Sequence, residues 1–141
     1  MSDKHAKKLG RLLRVRTLQL DMTRAGEAAA REKVANEEAL RARIAQLAQG
    51  VAPSPAPAPG SATTLIAAAH YRERLHQSAA AAERRVVEAQ RGLDTARAAT
   101  QEAKRDQSAI EKLLDRAQAN AARKAMRALE DMPATIKKRF T

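Results

Sequence analysis

Cysteine is absent from the 141 residues, which removes any disulfide framework, thiolate metal site or cysteine nucleophile. Tryptophan is absent as well, and the only aromatics are Tyr71 and Phe140. Aromatic side chains supply much of the buried area in compact cores and ligand pockets, so neither is expected here. Glycine is scarce and scattered, at Gly10, Gly26, Gly50, Gly60 and Gly92, which leaves little turn chemistry for a sheet and no phosphate-binding loop. Apolar runs such as Leu65 to Ala69 fall far short of the ~20 residues that span a bilayer. The opening MSDKHAKKLGRLLR develops no apolar stretch of the kind a secretory signal needs, so a cytoplasmic protein is expected.

What the chain does have is alanine, which makes up 34 of its hydrophobic residues, together with Glu, Arg, Lys, Gln and Leu. That is the composition of long helix rather than of a filled two-layer core. Proline marks the one clear break. Four of five prolines fall in VAPSPAPAPGSATT, residues 51–64, where alternating Pro-Ala favours extended polyproline II and excludes helix. Thr63 or Thr64 is an apt N-cap for a helix beginning at Leu65.

Beyond that connector, alternate steps of three and four from Leu65 pass through Ala68, Arg72, Leu75, Ala79, Ala82, Val86, Ala89, Leu93, Ala96, Thr100, Ala103, Gln107, Ile110, Leu114, Ala117, Ala121, Lys124 and Ala128. Fifteen of these nineteen positions are apolar, and a heptad seam of this length predicts a coiled coil. Ahead of the connector the pattern is weaker. Leu12, Val15, Leu18, Met22, Ala25 and Ala29 form one stripe, and Leu40, Ile44, Leu47 and Val51 another, joined by a register shift near Lys33 and Asn36. The expected organisation is an N-terminal helix within 1–50, running from about Lys4 to Ala48. A bend at 51–64, a longer helix over 65–132 and a basic tail at 133–141 complete it. Two helices on a short connection pack antiparallel, so the fold class is an all-α antiparallel coiled-coil hairpin with the second helix longer and overhanging. Apolar surface left without an intramolecular partner is where other proteins bind, a homodimer being the alternative.

Charge sharpens this picture. Of the net +11, Met1 to Arg24 holds seven Lys/Arg against two acids, and Glu111 to Thr141 eight against four. An antiparallel hairpin puts both segments at one end and makes a basic tip. Such a tip seeks an acidic partner, and nucleic acid is the obvious one. The tip lacks stacking aromatics other than Phe140, however, so only non-specific nucleic-acid binding is expected.

No catalytic constellation is evident. His70 and His76 are six residues apart, which a helix does not place on one face, and His5 lies near the terminus. Glu37, Glu38, Asp94 and Glu102 read as solvated helix faces making i, i+4 pairs with arginine. A rod offers no concave pocket in which carboxylates are desolvated. Neither an enzymatic activity nor a cofactor, metal or small-molecule substrate is expected.

The run KKLGRLLRVRTLQLD, Lys7 to Asp21, resembles the basic LxxLLRLR-like opening of the flagellar export protein FliJ family. AIEKLLDRAQANAARKAMRALED, Ala109 to Asp131, resembles that family's EKLxER segment and the Arg/Ala-rich helix after it. The Pro-Ala connector is longer than the family's, and the final helix more diluted with alanine. Injectisome stalk proteins of the YscO type are similar. The resemblance implies a two-helix stalk like the central subunit of rotary ATPases, held in the ring of the export ATPase. It also implies contact with the cytoplasmic domain of the membrane export gate, escort of export chaperones and a location at the inner-membrane export apparatus. On this sequence the ATPase-facing residues would be Arg11, Arg14, Arg16, Arg123, Lys124 and Arg127. The gate-facing ones would be Leu40, Leu47, Tyr71 and Leu75, although Leu40 and Leu75 also lie in the expected seams. The alternative function is a basic coiled coil that binds RNA or ribosomes.

Overall fold

In the computed structural model, residues 2–50 and 62–133 are described. They form two helices, α1 (Ser2–Gly50) and α2 (Ala62–Glu130), of 49 and 69 residues. The fold is the expected all-α antiparallel hairpin with its second helix longer. α1 runs two residues past each expected end, and α2 begins three residues earlier than expected and stops two short of 132; Thr63 and Thr64 lie inside the first turn of α2 rather than ahead of it. The polyproline reading of the connector falls on residues 51–61, outside the described residues, as does most of the basic tail. At its C-terminus α2 closes with the Asp131 amide donating to the Arg127 carbonyl at 2.9 Å, and Pro133 comes just beyond.

The chain divides into two compact units, each pairing a piece of α1 with a piece of α2: Met1–Thr23 with Thr100–Thr141, and Arg24–Ala99. In the first, Arg16 lies opposite Asp106 and His5 lies beside Ala117 and Ala121. In the second, Glu27, Glu37 and Arg41 lie opposite Arg97, Arg85 and Glu83. Partner numbers fall on α2 as they rise on α1, so both units are antiparallel.

The seam of α2 keeps closely to its heptad spacing. All sixteen expected positions from Ala68 to Ala121 are buried or half-buried, with Ala82, Val86, Ala89 and Leu93 the most enclosed. Leu65, Lys124 and Ala128 are exposed instead. The register of Arg41 against Glu83 brings the end of α1 near Leu75, short of Leu65. The second helix thus overhangs, as its length required. At the other end Lys124 borders a recess shared with His5 of α1.

The seam of α1 corrects the sequence expectation. Its inward positions are Ala6, Leu9, Leu13, Arg16, Leu20, Thr23, Glu27, Ala30, Val34, Glu37, Arg41, Ile44 and Ala48, one unbroken 3-4 spacing with no register shift. Leu12, Val15, Leu18, Met22, Ala25 and Ala29 are exposed; of the second stripe Ile44 turns inward, Leu40 and Leu47 are exposed, and Val51 lies outside the described residues. The reason lies in what each stripe becomes when extended. Carried toward the N-terminus by the same steps, Val15, Leu18 and Met22 continue as Arg11, Lys8 and Lys4. Burying that stripe would desolvate three cations. The stripe through Leu9, Leu13 and Leu20 carries a single cation there, Arg16, and Asp106 of α2 meets it at 3.3 Å.

Candidate functional site

Both basic segments of the sequence fall in the first unit, apart from Arg24. That unit carries sixteen Lys/Arg against eight Asp/Glu, whereas Arg24–Ala99 carries eleven against eight. Among the described residues the cations of this unit are exposed, Arg16 apart. Arg11 and Arg14 on α1, and Arg123, Lys124 and Arg127 on α2, are all exposed. They belong to helices whose backbone bonds are satisfied internally, so their positions are set by helix geometry rather than by loops.

Arg16 is placed differently. Its Nη1 donates to Asp106 Oδ2 at 3.3 Å across the seam and to Gln19 Oε1 at 3.1 Å on its own helix. One step on, Gln107 Nε2 donates to Thr17 Oγ1 at 3.2 Å. Arg16 therefore holds α1 to α2, while the other five cations face outward. Near the start of α1, His5 borders a recess of about 180 Å³ with Ala117, Asn120, Ala121 and Lys124. Among the described residues no three His, Asp or Glu side chains come together as a metal would require.

Leu40, Leu47, Tyr71 and Leu75, the residues for which the family resemblance implies gate contact, lie in the second unit. Tyr71 is 47% exposed, and Leu40 and Leu47 are also on the outside. The sequence expectation had Leu40 in the seam; only Leu75 is there, half-buried. Beside Tyr71, Arg72 turns its Nε toward the Ala68 carbonyl at 3.4 Å, which leaves the ring at the margin of the helix pair.

Sequence reasoning missed the charged seam of this unit. Glu37 is not a solvated residue making an i, i+4 pair. Its side chain is 14% exposed and faces Arg85 at 3.3 Å without a directed hydrogen bond. Glu27, similarly enclosed, accepts from Arg31 at 2.8 Å and lies 3.9 Å from Arg97. The signal that could have found them is the 3-4 count from Leu9, which reaches both glutamates; their charge disguised them. Glu38, Asp94 and Glu102 are exposed, as expected.

The chain matches no family model, no curated protein and no solved structure. Among the described residues no helix is long and apolar enough to cross a membrane.

Proposed function

We propose that the chain is an accessory stalk and escort protein of the flagellar type III export apparatus, peripheral at the inner membrane. It couples the export ATPase ring to the cytoplasmic domain of the export gate and escorts export chaperones. The observation that carries this reading is the collection of Arg11, Arg14, Arg123, Lys124 and Arg127, drawn from two distant stretches of sequence, as exposed cations of one helical unit. A partner ring lined with carboxylates is complementary to such a unit. Exposed Tyr71 gives the other unit an aromatic anchor for the gate, of the kind that dominates small interfaces.

Arg14→Glu/Arg123→Glu tests the assignment, because both side chains are exposed and neither is in the seam. Stimulation of the export ATPase is expected to disappear while helicity by circular dichroism is retained. If the protein binds RNA instead, ATPase stimulation is untouched by any variant. The double variant then flattens the salt dependence of RNA affinity by roughly one counterion per lost phosphate contact.

A further inference from the structure

The stripe that points away from the seam of α1 in the first unit is itself a heptad pattern. Lys4, Lys8, Arg11, Val15, Leu18 and Met22 succeed one another by steps of four and three, and every one is exposed. At 100° per residue they fall within an 80° arc on the side of α1 opposite Leu9, Leu13 and Leu20. The last three are large apolar residues left 49%, 63% and 74% exposed, on a face where a two-helix pair ordinarily carries polar side chains. No acidic residue interrupts the arc.

From this arrangement we propose that the outward face of α1, Lys4 to Met22, is a docking seam for an amphipathic helix of another protein. That helix presents carboxylates to Lys4, Lys8 and Arg11 and apolar heptad residues to Val15, Leu18 and Met22. The 3-4 spacing runs through the cations and the apolar residues alike, which is the condition for a continuous helix-helix contact. An 80° arc is narrow for a helix lying in a lipid interface, where the apolar face is broad. A second copy is disfavoured by charge, since it brings to this face a unit with sixteen Lys/Arg against eight Asp/Glu. The inference does not rest on the export reading. That reading is tested at Arg14 and Arg123, which lie outside the arc.

The chain contains no tryptophan, so Leu18→Trp installs a single indole reporter at a position already exposed. The probe is a 21-residue synthetic helical peptide with Glu at the heptad positions of one half and Leu at those of the other. Titration is expected to shift the indole emission to the blue. The dissociation constant is expected to rise at least tenfold when Lys replaces Glu in the peptide, and likewise in Val15→Ser/Met22→Ser. Anisotropy of a fluorescein-labelled peptide repeats the measurement on the unsubstituted protein, and a Val87→Trp variant, reporting from α2 in the other unit, is expected to stay silent. The proposal is overturned by an absent shift or by peptide affinity that survives Val15→Ser/Met22→Ser. A blue shift that grows with protein concentration alone would point to a second copy and also overturn it. So would a shift produced by phosphatidylglycerol vesicles or an RNA duplex but not by the peptide.

Discussion

The two units solve the same packing problem with opposite halves of the pair. In Met1–Thr23 with Thr100–Thr141 the most enclosed residues, Leu9 and Leu20, come from α1, and Ile110 and Leu114 of α2 are half-buried in the seam. In Arg24–Ala99 the most enclosed residues, Ala82, Val86, Ala89 and Leu93, all come from α2, and α1 answers with Ala30, Val34 and Ile44 interleaved with Glu27, Glu37 and Arg41. Both units bury apolar residues, but only in the second do carboxylates of α1, Glu27 and Glu37, stand enclosed in the seam among the described residues. Polar residues at seam positions favour one register at a cost in stability. In the second unit that choice is made by charges that match only when Glu37 meets Arg85 and Glu27 approaches Arg97.

The largest expected effect probes the first unit. Leu20 is 2% exposed, and Leu20→Ala is expected to cost about 2–5 kcal/mol by urea unfolding. Val86→Ala, equally enclosed in the other unit, removes less side chain and is expected to cost about 1–2 kcal/mol. Equal losses at the two sites would erase the contrast.

A change of opposite sign sharpens it. Glu37→Leu replaces an enclosed carboxylate with a seam residue of the preferred type and is expected to stabilise by about 1–2 kcal/mol. Arg85→Ala leaves that carboxylate facing no cation and is expected to destabilise by about 1 kcal/mol, reduced because the arginine is largely exposed. Hydrogen exchange read residue by residue localises either effect to its unit.

Smaller effects are expected at the surface. Gly92 is a helix-interior residue with open space where a Cβ would stand, so Gly92→Ala is expected to raise stability by about 1 kcal/mol in thermal melts. The exposed pair Arg41–Glu83, at 3.4 Å, is expected to couple by less than about 1 kcal/mol in a double-mutant cycle and to fade as salt is added. Strong coupling that persists at high salt would mean the second unit is more desolvated than its exposure indicates.

Composition and spacing determined much by themselves. Alanine-rich helix formers with no cysteine, only two aromatics and proline gathered mainly in one segment dictated two long helices, and the heptad count from Leu65 identified the inward face of α2 from Ala68 to Ala121. Concentration of Lys/Arg near both ends of the chain, together with antiparallel pairing, dictated a basic unit.

Tertiary structure alone decided which face of α1 is inside. Two stripes competed there, one through Leu9, Leu13 and Leu20 and one through Val15, Leu18 and Met22, and local hydrophobicity favoured neither decisively. The choice depended on what stood opposite: Asp106 for Arg16, Arg97 for Glu27 and Arg85 for Glu37. Burial of a charge is tolerable only where an opposite charge is brought to it, and that pairing is a property of two helices in register rather than of either sequence alone. The same choice took Arg16 out of the exposed cations and left an apolar heptad stripe on the outside of α1.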